Sequence, residues 1–300
     1  MHLLDIETLD KQEIERYLEG AAVMKRGLAN KDWPRDRLAG RVIITLFFEN
    51  STRTRTSFEM AAYRLGASVI AWDETTSSTA KGESFSDTLR CLGAYQPDAV
   101  VVRHSEFKAP YTVKNLVSCP VINAGDSYRA HPSQALLDAF TLIEAKGTLE
   151  GLTVAICGDV AHSRVASDNF HLLSKMGANI HVVAPETLMP QKLPYEGMKA
   201  FTSIEEGIKG VHAVMMLRNQ KERMAAGAVP DDAAYFHAFG LTQERLKLAD
   251  KDVVVLHPAP MNRGVEIADD VADDPHRSLI FKQMENGLPV RMGIFDKLVN

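Results

Sequence analysis

Short apolar runs alternate with amphipathic stretches along this 300-residue chain. Residues 10–29 place Ile14, Leu18, Ala21, Ala22 and Leu28 near one face, which predicts a helix. Residues 41–48, RVIITLFF, predict a buried strand. Ser51 then predicts an N-cap for a helix running to Leu65, with Gly66 as its stop. Strand 67–72 follows, and the Thr-, Ser- and Gly-rich stretch 73–82 predicts an irregular loop. Helix 83–95, strand 98–103, helix 110–118 and strand 120–123 come next, and helix 132–146 opens with Pro132 and ends at Gly147. The alternation then restarts with strand 152–157, helix 162–176, strand 179–184, strand 211–217 and strand 252–256. Residues 185–200 hold three prolines and predict a loop, and a last helix is expected over about 283–298.

Strands alternating with helices predict an α/β chain of two domains, each a parallel sheet flanked by helices. The boundaries expected are a first domain over 1–130, a bridging helix over 131–147 and a second domain over 148–283. The closing helix, about 284–300, is expected to pack back on the first domain. Ligands of open parallel sheets bind beyond the carboxyl ends of the strands, so the active site is expected in a cleft between the two domains.

Composition narrows the class. Apolar residues make up 45% and charged residues 24%, which excludes collagen-like and disordered chains. The net charge of −5 gives no global reason to bind nucleic acid or an anionic membrane. Cys91, Cys119 and Cys157 form no CxxC pair and lie among apolar neighbours, so they are expected to be buried, reduced and inert. The opening MHLLDIE has no basic or apolar leader pattern, and the run 42–48 is far short of the ~20 residues of a membrane span. A soluble, cytoplasmic protein is expected. The ten histidines show no HExxH or HxH spacing, so neither a metal nor another cofactor is expected.

The chemistry gathers at strand ends. Strand 41–48 runs into ENSTRTR at 49–55, which opens a helix. A helix N-terminus offers unpaired N–H groups and partial positive charge; Ser51, Thr52 and Thr54 add hydroxyls, and Arg53 and Arg55 add guanidiniums. Strand 98–102 ends in Arg103-His104, and strand 120–123 leads to Gly125-Asp126 and then His131-Pro132-Ser133-Gln134. Strand 152–157 leads to Gly158-Asp159 and Arg164, strand 211–217 to Arg218-Asn219-Gln220-Lys221-Glu222-Arg223, and strand 252–256 to His257-Pro258-Ala259-Pro260. Together these describe a site for ligands with several negative charges.

The string FFENSTRTRTSFE at 47–59 with HPSQ at 131–134 resembles the aspartate and ornithine carbamoyltransferase family, and the resemblance extends over nearly the whole chain. Three places resemble the aspartate rather than the ornithine branch. Glu49 stands where the ornithine enzymes usually have Lys, HPAP at 257–260 stands for their HCLP, and RNQKER at 218–223 stands for their SMG loop. A dicarboxylate also needs guanidiniums, which Arg164 and Arg218 supply, whereas the cationic side chain of ornithine would be repelled. A carbamoyltransferase for ornithine or another amino acid, and a non-catalytic relative, are the alternatives. A dinucleotide-dependent dehydrogenase is disfavoured because GxGxxG is absent.

The resemblance implies transfer of a carbamoyl group from carbamoyl phosphate to the α-amino group of L-aspartate, an early step of pyrimidine biosynthesis. It implies that Ser51, Thr52, Arg53 and Thr54 hold the phosphate, and that Arg103 also binds it and with Thr54 and His131 surrounds the carbonyl oxygen. Gln134 and the backbone of Ala259 and Pro260 would hold the carbamoyl NH₂, and Arg164, Arg218 and Gln220 would hold aspartate. Lys81 and Ser77 would enter the site of a neighbouring subunit, in a homotrimer that could join regulatory or dihydroorotase chains. Glu49 and Asp168 are expected to orient arginines rather than act as bases.

Overall fold

The computed structural model describes residues 1–73, 82–220 and 231–300. The chain divides into two compact units, Met1–Phe140 with Glu285–Asn300, and Thr141–Met284.

In the first unit the order is α1 (Lys11–Asn30), β1 (Val42–Phe47), α2 (Thr52–Arg64), β2 (Ser68–Asp73), α3 (Phe85–Ala94), β3 (Ala99–His104), α4 (Ala109–Leu116) and β4 (Val121–Asp126). α5 (Pro132–Lys146) begins in this unit. The strands form a parallel sheet in the order β2-β1-β3-β4. β3 and β4 are buried along their whole length, as the apolar runs require of strands covered on both faces. One core cluster joins Leu46, Val100 and Val102 to Leu89 of α3 and Val113 of α4. α1 starts at a capping box between Asp10 and Glu13, which satisfies exposed N–H groups from both sides. It buries Ile14, Leu18 and Ala21 on one face.

The second unit continues with β5 (Thr153–Cys157), α6 (Arg164–Lys175), β6 (Asn179–Val183), β7 (Lys199–Phe201), α7 (Ile204–Gly207) and β8 (Ala213–Met216). α8 (Asp232–Phe239), α9 (Gln243–Leu246), β9 (Val254–Leu256), α10 (Asp269–Ala272) and α11 (Ile280–Val299) complete the chain. Its sheet is also parallel, in the order β7-β6-β5-β8-β9. A core of Cys157, Val183, Val214, Met216 and Val255 lies under Ile204, Leu241 and Ile267.

From residue 285 onward α11 belongs to the first unit and packs on α1. A Cβ on Gly293 would come within 2.9 Å of the Gly20 and Ala21 backbone, so the glycine permits the close crossing. Lys25 Nζ also donates to Asn286 Oδ1 at 2.6 Å.

Some expectations change. The stretch 185–200, expected as loop, contains a turn of 3₁₀ helix at Glu186–Leu188, and its last residues begin edge strand β7. β4 continues beyond residue 123 to Asp126. Cys91, expected to be buried, is exposed. It stands two residues after buried Leu89 on α3, about 200° further round the helix, on the face away from the sheet. Cys119 and Cys157 are buried and free, and burial pushes the Cys119 thiol up to about 11.

Among the described residues no helix is long and apolar enough to cross a membrane. Among them, too, no group of three or more His, Cys, Asp or Glu could hold a metal ion.

Candidate active site

Each sheet has one place where successive connections leave in opposite directions, and ligands of open α/β sheets bind outside the strand ends there. In the first sheet β1 connects outward to β2 on one side, while β3 lies on its other side. In the second sheet the same reversal falls between β5 and β8. The charged and hydroxyl-bearing ends of β1, β3, β5 and β8 lie at these two reversals, and those of β4 and β9 lie at the next strand over.

In the first unit β1 leads through Phe48, Glu49 and Asn50 to Ser51, the N-cap of α2. The Ser51 side chain makes no capping hydrogen bond, and the first turn of α2 carries no acidic residue. The first helical bond runs from Arg55 N–H to the Ser51 carbonyl at 3.0 Å, so the N–H groups of the first turn point out of the helix end. Thr54 is buried and Arg53 exposed. Arg55 is turned elsewhere: its Nε donates to Glu59 Oε1 at 3.0 Å, and Thr45 Oγ1 donates to the same oxygen at 3.0 Å. Of the two guanidiniums counted from sequence in this segment, the structure thus holds Arg55 against its own helix.

Arg103 pairs in register with Phe47 across the reversal. It is buried, donates from Nη2 to Glu49 Oε1 at 3.0 Å and from Nη1 to the Ala124 carbonyl at 3.3 Å. The ends of β1, β3 and β4 are thereby tied together through one guanidinium. Glu49 acts as an orienting partner here.

The turn from β4 to α5 delivers His131 and Gln134, both buried. His131 accepts from the Gln134 N–H through its carbonyl at 2.9 Å, and Pro132 occupies the first helical position. Gln134 Nε2 donates to Asp138 Oδ1 at 2.8 Å. A carboxylate only accepts, so this bond fixes the amide and leaves Gln134 Oε1 as an acceptor. Beneath lies Arg291, also buried, stacked 4.9 Å over the Phe58 ring and donating to the Gly287 carbonyl at 3.1 Å. Burial pushes its guanidinium down to about 10, against the opposing effect of Asp138 and with some help from Arg103. It is still cationic at neutral pH.

An ion network braces the same turn. Arg129 bonds Asp126 through Nε at 2.7 Å and Asp5 through Nη1 at 2.8 Å. Asn123 Nδ2 adds a bond to Asp126 Oδ1 at 2.7 Å, and Tyr111 donates its hydroxyl to Asp5. Burial alone would raise the Asp5 carboxyl, but hydrogen bonds from Tyr111, Arg129 and Thr8 together hold it below the ordinary carboxylate range. Burial, then the bond to Asp5, pushes Tyr111 up to about 12.

In the second unit Gly158 follows β5 with φ +120, and a Cβ there would lie 2.6 Å from the Leu217 carbonyl oxygen. Only glycine lets the segments after β5 and β8 approach this closely. Buried Asp159 then joins them: Oδ1 lies 2.8 Å from His162 Nδ1, and Oδ2 accepts from the Gln220 N–H at 3.2 Å. Gln220 Nε2 donates back to the His162 carbonyl at 3.0 Å. Ser163 caps α6, accepting from the Ala166 N–H at 3.2 Å. Arg164 follows in the first turn, buried, with buried Asp168 one turn on, and half-buried Arg218 follows β8. The structure thus places Arg164, Arg218 and Gln220 at one reversal. Ala259 and Pro260 follow β9, the neighbour of β8; Ala259 has φ +54 and the bond between them is cis.

Lys81, Ser77 and the Lys221-Glu222-Arg223 string lie outside the described residues. Sequence reasoning did not single out Asp138, Arg291, Arg129, Asp5 or Glu266. Asp138 carried a signal, since it stands four residues after Gln134 on one helix face. The other four contact partners remote in the chain or across a turn.

Two family models cover the chain. The carbamoyl-P binding domain of aspartate/ornithine carbamoyltransferase matches residues 1–144, and the Asp/Orn binding domain matches residues 150–298. The chain belongs to the aspartate/ornithine carbamoyltransferase family. It is 50% identical over 297 residues to the aspartate carbamoyltransferase catalytic subunit of Rhodospirillum rubrum, covering 99% of this chain and 93% of that one. The catalytic subunit of Granulibacter bethesdensis is also 50% identical, covering 99% and 94%. Among solved structures, Trypanosoma cruzi aspartate transcarbamoylase in complex with N-(phosphonacetyl)-L-aspartic acid superposes with a TM-score of 0.90 at 30% identity, covering 100% of this chain and 96% of that one. Ornithine carbamoyltransferase from Pyrococcus furiosus gives a TM-score of 0.90 at 28% identity, covering 99% and 96%.

Proposed function

We propose that this chain transfers the carbamoyl group of carbamoyl phosphate to the α-amino group of L-aspartate. The products are N-carbamoyl-L-aspartate and phosphate, and the reaction is an early step of de novo pyrimidine biosynthesis. The observation that carries aspartate over ornithine is the guanidinium pair Arg164 and Arg218 at the second reversal, with Gln220 fixed beside them. Guanidiniums receive carboxylates through paired N–H bonds and repel an ammonium. Relatives 50% identical over 99% of the chain, named aspartate carbamoyltransferases, support the same choice.

In this reading the open end of α2 holds the phosphate through the Thr52, Arg53 and Thr54 N–H groups, the Ser51 and Thr52 hydroxyls and the Arg53 guanidinium. Gln134 Oε1 and the Ala259 and Pro260 backbone accept from the carbamoyl NH₂. The aspartate amine attacks the carbonyl carbon, and negative charge grows on its oxygen. His131, Arg103 and Thr54 donate to that oxygen, and one such donor is worth about 3–4 kcal/mol. The C–O bond to phosphate breaks, and the leaving phosphate takes the amine proton. No covalent enzyme intermediate is needed, so catalysis is positioning and charge stabilisation. Carbamoyl phosphate binds first and aspartate second.

The active assembly we propose is a homotrimer in which Lys81 and Ser77 complete a neighbouring subunit's site, with regulatory or dihydroorotase chains as further partners. Free cysteines suit a reducing compartment, and a cytoplasmic enzyme is part of the proposal. A colorimetric ureido assay tests the reaction. Product is expected with carbamoyl phosphate plus aspartate and not with ornithine; product with ornithine alone would overturn the assignment.

A further inference from the structure

The segment after β9 contains a chain of buried hydrogen bonds that the proposed chemistry does not use. His257 and Glu266 are both buried, at 1% and 0% exposure. The Ala259 N–H donates to His257 Nδ1 at 2.9 Å. A ring nitrogen that accepts carries no hydrogen, so the imidazole is neutral and its one hydrogen sits on Nε2. Nε2 lies 3.0 Å from Glu266 Oε1 and therefore donates to it. The same Oε1 accepts from the Asn262 N–H at 2.5 Å. The His257 backbone N–H is fixed in turn by Gln283 Oε1 at 2.9 Å. Two side chains thus grip the 257–262 turn from inside, one at residue 259 and one at residue 262.

What they grip is an unfavourable backbone. Ala259 sits at φ +54, a region that an alanine occupies only when its surroundings impose it. Half-buried Ala259 and exposed Pro260 carry the carbonyls assigned above to the carbamoyl NH₂. We propose that His257 and Glu266 are positioning residues, a neutral imidazole and its acceptor, that hold the 259–260 backbone as the receptor for the carbamoyl amide. The inference rests on the functional reading above. Neither side chain touches substrate; both act through the peptide at Ala259.

The carbamoyl group is the part of the substrate that inorganic phosphate lacks, and this separates a positioning role from a general loss of structure. In the full-length enzyme, His257→Leu removes the acceptor for the Ala259 N–H at nearly constant volume. His257→Asn keeps an acceptor, Oδ1, at the place of Nδ1. Glu266→Leu and Glu266→Gln make the same pair for the other end. Each Leu variant is expected to lose at least tenfold in kcat/KM for carbamoyl phosphate, while inhibition by inorganic phosphate stays within twofold. The Asn and Gln variants are expected to recover most of the loss. Unchanged kinetics in both Leu variants, an equal loss towards both ligands, or no recovery in the Asn and Gln variants would overturn the inference. Should His257→Leu not fold, Glu266→Leu, which keeps the imidazole, supplies the same comparison. Wild-type enzyme that forms no N-carbamoyl-L-aspartate would instead strike the functional reading; active wild type with insensitive variants strikes only this inference.

Discussion

α2 and α6 both follow the first strand of their unit's reversal, yet their N-termini are built differently. At α2 the N-cap Ser51 makes no capping bond and the first turn holds no acid, so no side chain of the cap or first turn opposes the positive end of the helix dipole. At α6 Ser163 closes the helix end on itself, and a cation, Arg164, sits in the first turn. A cation there opposes the helix dipole by about 0.3–1 kcal/mol. In the proposed reading the two ends serve as two receptors: backbone dipole for a phosphate, and side-chain guanidinium for carboxylates.

Substitutions can break that contrast, and the largest effect is expected at the open end. Arg53→Ala should lower kcat by about a thousandfold, near the 3–4 kcal/mol of a lost charge-stabilising donor. Its exposed position predicts an unchanged melting temperature. Activity and thermal melts together check this, and a collapsed fold would mean that Arg53 is structural.

The brace under the first receptor comes next. Asp5→Asn leaves Arg129 short of one partner in a buried network and should cost about 3 kcal/mol at pH 7. The folded Asp5 pKa is lowered, so its stabilisation is complete above the unfolded value near 4 and is lost as pH falls through the folded value. Denaturant titrations should therefore show a large gap between wild type and variant at pH 7 that narrows below pH ~4.

Arg164→Ala should raise KM for aspartate by about thirtyfold, some 2 kcal/mol, with KM for carbamoyl phosphate within about twofold. The smallest and sharpest contrast is between the two serines. Ser163→Ala should cost about 1 kcal/mol of stability, as loss of a working cap does. Ser51→Ala should cost little stability, because that hydroxyl caps nothing, and weaken phosphate binding instead. Equal stability losses would show that the two ends are built alike.

The strands and long helices were readable because each spans more than one hydrophobic period. Helix 132–146 is bounded by Pro132 and Gly147, and its observed limits coincide. β7 has three residues and α7, α9 and α10 have four each, too few for a pattern to repeat. α11 starts at Ile280, earlier than expected, and runs through Pro289, a residue that sequence reasoning takes as a breaker. The site divides in the same way. The residues proposed to meet ligands were named because they follow strands in recognisable strings. The residues that hold them were not, because their partners are remote: Arg129 and Asp5 are 124 positions apart. His257 was noted for its place beside prolines, but its partner Glu266 was not, since only the folded turn shows which ring nitrogen accepts.

The division of labour between the two units is tested most directly by calorimetric titration of inorganic phosphate into wild type, Arg53→Ala and Arg164→Ala. Phosphate affinity should be lost in Arg53→Ala and match wild type in Arg164→Ala. An equal effect in both variants would contradict the account.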